Sequence, residues 1–238
     1  MSKYDILEKL SENTDGYLSG EKISKDLNIS RSAVWKQIEA LRKEGYLINS
    51  STNGGYILCD TPDIITFYEM EKALKGRRID APILAFQSIN STNKYAKQLV
   101  EENAQNGTLI ISNEQTLGKG RFSRTFFSPA NKGIYMSLIY NLSINASNSS
   151  LVTVVAALSV CKAIEKLYNI KPTIKWTNDI YLGEKKVCGI LTQATLEAET
   201  GFINSVIIGI GVNVQNEEDD FDEEIKNLAT SLLSLIHI

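Results

Sequence analysis

The stretch TLIISNEQTLGKGRFSRTFFSPANKGIYMSLIY, Thr108 to Tyr140, holds two apolar runs with a basic, glycine-containing loop between them. TLIIS and GIYMSLIY are dense in Ile, Leu and Tyr, and short runs of that kind read as buried strands. The loop GKGRFSR threads Lys119, Arg121 and Arg124 among Gly118 and Gly120. Glycine lets a chain fold close over a ligand. Arginine offers planar, permanently charged donors suited to a phosphate. The G-x-x-x-x-G-K-[ST] order of a Walker A loop is missing. An exposed basic loop joining two strands would read the same way, so the loop alone leaves both meanings open.

Working outward, the pattern alternates strands with helices. SINSTNKYAKQLVEEN reads as a strand end, a cap at Ser91 or Thr92, and a helix turning Tyr95, Ala96, Leu99 and Val100 inward. SSLVTVVAALSVCKAIEKLY reads as a long helix, apolar on most faces and so expected to be central. TIKW, KVCGILTQATLE and INSVIIGIGVNVQ read as further strands. Strands in runs with helices between them predict an α+β or mixed-sheet domain.

Two more segments carry polar groups at the ends of these strands. In KWTNDIYLGEKKVCGIL, Lys175 ends one strand, Asn178 and Asp179 sit in the turn, and Lys186 starts the next. The two lysines and the aspartate can face one cleft; a hydrogen-bonded hairpin with surface lysines is the plainer reading. GIGVNV, Gly209 to Val214, is half of a dinucleotide fingerprint, without the third glycine or a following helix. It reads either as a core strand with a close backbone approach or as a sheet edge beneath a flat ligand, with Asn213 as a polar contact.

The first sixty residues differ in kind. Ile6, Leu7 and Leu10 give one apolar stripe, SGEKISKDL a second helix, and NIS a tight turn. Ser30 then caps a third helix with Val34, Ile38 and Leu41 inward. YLINSSTNGGYIL follows as two strands around Asn53-Gly54, a pair suited to a type I′ turn. That order is a winged helix-turn-helix. The outward face of its third helix carries Arg31, Ser32, Trp35, Lys36 and Arg42, the candidates for DNA contact. A small helical packing module with a charged face is the alternative. Between Ser30 and Ser50 the cations Arg31, Lys36, Arg42 and Lys43 face only Glu39 and Glu44, so a monomer is expected to bind DNA weakly. CDTPDIIT, with Pro62 as a breaker, marks the joint: residues 1–62 are expected as the DNA-binding domain and 63–238 as the second domain.

Composition bounds the chemistry. A net charge of −3 gives no global field toward nucleic acid or membrane, so anion binding has to be local. No apolar run approaches the roughly 18 residues of a membrane span, and the polar N-terminus lacks a signal-peptide core. The 3 scattered cysteines fit a reducing cytosol and no disulfide framework. The 1 histidine, His237, disfavours a Ser-His-Asp triad, a Cys-His dyad or a His-ligated metal site. The acidic run Asn216 to Glu224 is expected as a solvated loop, with metal binding as the lesser alternative.

Taken in order, STN at Ser91–Asn93, EQTLGKGRFSR, FSP at Phe127–Pro129, KWTND, KKVCGIL and GIGVNV resemble the bifunctional biotin–protein ligases that double as biotin-operon repressors. The resemblance implies an N-terminal winged helix-turn-helix, then a mixed-sheet α/β ligase domain and a small SH3-like barrel. It further implies that biotin and ATP, with Mg²⁺, give biotinyl-5′-AMP. A lysine of a carboxylase's biotin carrier domain then takes the biotin. The implied biotin site comprises Ser91, Thr92, Asn93, Gln115, Gly118, Lys119, Gly120, Arg121, Lys186 and Gly189. Arg121, Arg124, Lys175, Asn178 and Asn213 would hold ATP or the adenylate, and Arg121, Lys186 and Asp179 would act in the reaction; no protein metal ligand is implied. The basic loop is expected as a lid, disordered without adenylate and closing over it. The remaining implications are a cytoplasmic protein, operator DNA as a partner, and a homodimer with the adenylate as co-repressor.

Some positions depart from the family pattern. Phe122 and Ser123 replace a more basic, glycine-containing pair, Phe126 stands where tryptophan is common, Thr177 replaces a proline, and Gln193 stands where an acid is frequent. The chain stops at SLLSLIHI, short of the implied barrel, and is expected to be truncated or mis-joined there. Three alternatives stand beside the ligase: a biotin-responsive transcription factor with a non-catalytic sensor domain, a lipoate ligase, and a poorly folding fragment.

Overall fold

The structure is a computed structural model that describes residues 3–52, 54–75, 81–145, 149–196 and 202–235. Asn53 of the expected hairpin turn and His237 lie outside these residues. The chain divides into two compact units between Ile64 and Ile65.

The first unit runs α1 (Lys3–Glu12), α2 (Gly20–Leu27), α3 (Arg31–Lys43), β1 (Leu47–Ser51) and β2 (Gly55–Asp60). Its core is the set of apolar positions that recur at helical spacing: Ile6, Leu7 and Leu10, then Ile23, then Val34, Ile38 and Leu41, closed by Tyr46 and Ile48. Asn28 ends α2 in the left-handed region, φ 51°. The N–H groups of Asn28 and Ile29 return to the carbonyls of Lys25 and Ser24 at 3.2 and 3.0 Å, which satisfies the last turn. Ser30 then opens α3, its hydroxyl accepting the Ala33 N–H at 3.1 Å. Ser30→Ala is expected to cost about 1 kcal/mol, read as a lower midpoint of the melt; an unchanged midpoint would show that the cap adds nothing.

The wing is an antiparallel pair, β1 against β2, with Leu18 bridging Tyr56 on the far side. That third rung requires Gly55: its φ is +104°, and a Cβ there would lie 2.1 Å from the Leu18 carbonyl oxygen. The ladder shifts register between Leu47 and Ile48, which leaves Cys59 without a partner across the pair. One expectation is corrected by this geometry. Arg42, expected on the nucleic-acid face, points its guanidinium at the wing, donating from Nε and Nη2 to the Ile48 carbonyl at 2.8 and 2.6 Å. Its Nη1 donates to Glu39 at 2.6 Å.

The second unit contains α4 (Phe67–Leu74), β3 (Ile83–Phe86), α5 (Thr92–Glu101), β4 (Leu109–Ser112), β5 (Gly133–Asn145) and α6 (Ser149–Tyr168), then β6 (Thr173–Lys175), β7 (Asp179–Leu182), β8 (Lys185–Leu196) and β9 (Phe202–Asn213). The 7 strands form one mixed sheet in the order β3-β4-β5-β9-β8-β7-β6. Among the described strands only β3 and β4 pair in parallel, and α5 supplies the crossover that parallel neighbours need. Period-two alternation sorts the side chains. Ile139 of β5 and Ile207 of β9 pack with Ala96 of α5, whereas Ile208, Ile210 and Val212 join the cluster under α6. The two helices therefore cover opposite faces.

The long helix is not central, contrary to its apolar composition. It is an outer layer: Ala156, Ala157, Cys161 and Ile164 are buried, while Leu151, Val155, Leu158 and Leu167 are exposed. The sheet offers it one face, and one face is all it buries. Among the described residues, no helix is long and apolar enough to cross a membrane.

Candidate functional site

The site lies on the α5 face of the sheet. Its floor is the β8–β9 pair, where Gly189 stands opposite Gly211 and Leu191 opposite Gly209. Side chains are missing there because there is no room for them. A Cβ on Gly209 would meet Asn93 Oδ1 at 2.1 Å, and one on Gly211 would meet the Phe126 ring at 2.4 Å.

One wall is the start of α5. Ser91, Thr92 and Asn93 are all buried, and a polar lattice holds Thr92 and Asn93, while Ser91 opens the helix without a side-chain cap bond. Gln115 Oε1 accepts the Thr92 N–H at 2.9 Å and its hydroxyl at 3.1 Å, and Gln115 Nε2 donates to Ser128 at 3.0 Å. Ser137 Oγ lies 2.8 Å from Thr92 Oγ1 and 2.6 Å from Asn93 Oδ1. Asn93 Nδ2 donates to the Leu191 carbonyl at 3.2 Å and to Gln193 at 3.0 Å. Asn93 therefore braces the helix against β8 while bordering the pocket.

The basic loop folds as a small hairpin over the floor. Its cross-links are Phe126 N–H to the Gly118 carbonyl at 3.0 Å and Gly120 N–H to the Arg124 carbonyl at 2.7 Å. Phe122 sits at the tip with φ 54°, largely exposed. Lys119, Arg121 and Arg124 are also exposed along the loop.

Facing it are the groups from β7 and β8. A register shift between Ile180 and Tyr181 leaves Val187 unpaired and sets Lys186 opposite Tyr181. Cross-strand partners share a face, so Lys186, Gly189, Asp179 and Tyr181 point together, while Val187 and Cys188 enter the core. Arg121 Nη1 donates to Asn178 Oδ1 at 2.7 Å, and Asn178 Nδ2 donates to Asp179 Oδ1 at 2.8 Å. The Lys186 ammonium reaches that same carboxylate oxygen at 2.8 Å. The guanidinium of the loop and the ammonium of β8 are thus joined through two side chains. The main chain of Lys186 is also fixed: its N–H donates to the Leu228 carbonyl and its carbonyl accepts the Thr230 N–H, both at 2.8 Å.

Two adjoining cavities meet at Arg121, Phe126, Asn178, Asp179 and Lys186. The smaller, about 50 Å³, runs beneath Ser91, Thr92, Asn93, Gln115 and Lys119 over the glycine floor. The larger, about 450 Å³, is bordered by Arg124, Lys175 and Asn213, with Phe127, Phe221 and Leu228 as an apolar wall. Lys175 Nζ lies 5.1 Å from the centre of the Tyr181 ring. Asn213 spends its amide N–H on the Thr230 carbonyl at 3.1 Å. Gly118 is packed against the Phe126 carbonyl beside Ser128, as a hinge of the hairpin. Cys188 turns its side chain into the core, and burial pushes its pKa well above the usual thiol range. It stays protonated, so the site offers no thiolate nucleophile.

The acidic run is a 3₁₀ turn over Glu218–Asp220. Asp220 pairs with Lys132 at 3.1 Å and Asp219 with Lys226 at 2.7 Å. Phe221 is buried against Phe127. Among the described residues no group of three or more His, Cys, Asp or Glu could hold a metal ion.

Ser128, Ser137 and the Phe221–Leu228 wall were not read from the sequence as part of the site. For Ser137 a signal existed: it is a hydroxyl at an inward position of an otherwise apolar strand. In the first unit, Arg31, Ser32, Trp35 and Lys36 are exposed on α3.

A winged helix-turn-helix followed by a mixed-sheet domain with a basic hairpin over a glycine floor defines a DNA-binding type of fold joined to an anion-binding one. Residues 3–57 match an HTH domain model. Residues 85–213 match the model of the biotin/lipoate A/B protein ligase family. The bifunctional ligase/repressor BirA of Bacillus spizizenii is 42% identical over 228 residues, 96% of this chain and 70% of that protein. Its counterpart in Bacillus subtilis is 40% identical over the same shares. The biotin protein ligase from Aquifex aeolicus in complex with biotin and ATP superposes with a TM-score of 0.53 at 33% identity, over 66% of this chain and 62% of that one. The chain belongs to the biotin/lipoate A/B protein ligase family. It spans about 70% of the length of its Bacillus relatives and less than two thirds of the Aquifex chain.

Proposed function

We propose that this chain is a biotin–protein ligase that also represses transcription, with biotinyl-5′-AMP as intermediate and co-repressor. The observation that carries the reading is the joined pair of cations, Arg121 and Lys186, at the meeting of the two cavities. The Bacillus relatives are named as bifunctional ligase/repressors, and the Aquifex neighbour holds biotin and ATP.

Biotin is assigned to the cavity at the start of α5, where Ser91, Thr92, Asn93 and Gln115 present hydroxyl and amide groups. Its carboxylate then reaches the junction beside Lys186. ATP is assigned to the larger cavity, its phosphates toward Arg121, Arg124 and Lys175. A carboxylate oxygen attacks the α-phosphorus, the bond to the bridging oxygen breaks, and pyrophosphate leaves. Lys186 offsets the charge gathering on the α-phosphate, while Arg121 holds the phosphates from the hairpin side. The neutral amine of a carrier-domain lysine next attacks the acyl carbon, AMP departs, and an amide remains. Neither step needs an enzyme nucleophile, and both depend on holding two reactants in line.

Mg²⁺ fits only as a passenger of the nucleotide. Asp179 is the one carboxylate bordering the larger cavity among the described residues, and one of its oxygens already serves Lys186 and Asn178. The ion would neutralise phosphate charge while riding mainly on phosphate oxygens. On this reading the partners are a carboxylase's biotin carrier domain and operator DNA, met by Arg31, Ser32, Trp35 and Lys36. The assembly is an adenylate-bound homodimer and the location is the cytoplasm.

The test is direct. Incubated with biotin, ATP·Mg²⁺ and a biotin carrier domain, the protein is expected to add one biotin to the acceptor, read as a mass gain. No gain on the acceptor overturns the ligase reading. Pyrophosphate release without transfer would reduce it to acid activation.

A further inference from the structure

We infer that Arg42 is a positioning residue that sets the aim of the wing against α3, and not a phosphate contact. Its consequence for DNA rests on the repressor reading; the geometry does not. The guanidinium is a rigid fork, and two of its N–H groups close on one oxygen, the Ile48 carbonyl, at 2.8 and 2.6 Å. A third N–H, on Nη1, is taken by Glu39 at 2.6 Å, one helical turn back. Two donors tie the last turn of α3 to the first strand of the wing, and the third, to Glu39, fixes the guanidinium along the helix.

The attachment point matters. Ile48 is buried and sits where the β1–β2 ladder shifts register past the unpaired Cys59. A bulge bends and twists its strand, so the direction of the hairpin beyond it is set there. Holding the Ile48 carbonyl from outside the ladder fixes that bend. The exposed residues Arg31, Ser32, Trp35 and Lys36 of α3 and Ser50 and Ser51 of the wing are then held in one arrangement. Lysine cannot replace the fork, because an ammonium is a point charge without the planar pair of donors.

The experiment uses the full chain with Arg42→Lys and Arg42→Gln. Lysine keeps the charge and the aliphatic stem, so the fold is retained. Two quantities are read: amide hydrogen exchange across β1 and β2, and affinity for a random-sequence DNA duplex over a range of salt. Both variants are expected to speed exchange in the wing about tenfold, the equivalent of a charge-assisted bond lost. Both are expected to weaken DNA binding alike, with the slope of log affinity against log salt unchanged. A phosphate contact behaves differently. Arg42→Lys would then bind like the wild type, Arg42→Gln would lower the salt slope by about one, and wing exchange would stay put; that pattern overturns the proposal. If the wild type binds no random-sequence duplex, the exchange rates alone decide the role of Arg42.

Discussion

Lys186→Ala is expected to slow biotin- and ATP-dependent pyrophosphate release by about a hundred- to a thousandfold. That is the usual loss when one preorganised charge is removed from a transition state that gathers negative charge. The ammonium is well placed for it: it sits at the junction of the two cavities, 2.8 Å from Asp179 Oδ1. The side chain is partly exposed, 30%, so its removal opens no buried void. The melt should therefore stay cooperative, which separates lost chemistry from lost fold. A variant that releases pyrophosphate at close to the wild-type rate would remove Lys186 from the reacting centre.

Arg121→Gly is expected to act later, on retention of the intermediate. The guanidinium leans from the hairpin onto Asn178 Oδ1 at 2.7 Å and spans the two cavities. Charge-assisted hydrogen bonds of this kind are worth about 1.5–3 kcal/mol. Losing one to the adenylate should speed its release about ten- to a hundredfold. Pyrophosphate formation in the first turnover should fall less than retention. The measurement is the rate at which labelled biotinyl-5′-AMP leaves the protein. Equal rates for variant and wild type would show that the hairpin does not hold the adenylate.

Much of this site was legible before the fold was known, and particular residues show why. Lys119, Arg121 and Arg124 stood out as a local cluster of cations in a chain of net charge −3, although the loop alone left its purpose open. Lys186 and Asp179 were readable as neighbours because both lie at strand ends around one short turn. The unread features depend on register. Nothing in KKVCGIL announces that Val187 is bulged out of the ladder, yet that shift decides which way Lys186 points. The outer position of α6 was misread for a related reason: apolar composition gives the capacity to be buried, not the number of faces the sheet can cover. Arg42 was misassigned because a helical wheel places it near the charged face, while its long stem carries the guanidinium back to the wing. Helix boundaries followed local turn chemistry, as at Asn28 and Ser30; the wing's turn did not, because the positive φ falls on Gly55 and not on Gly54. Long-range partners such as Ser137 with Asn93 carry no local signature.

The two main-chain hydrogen bonds that bracket Lys186 have a mechanical consequence. The Leu228 carbonyl and the Thr230 N–H hold the N–H and the carbonyl of that lysine along one edge, so the segment around Ala229 and the backbone of Lys186 are tied together. A displacement of the strip around Ala229 therefore carries the main chain of Lys186 with it.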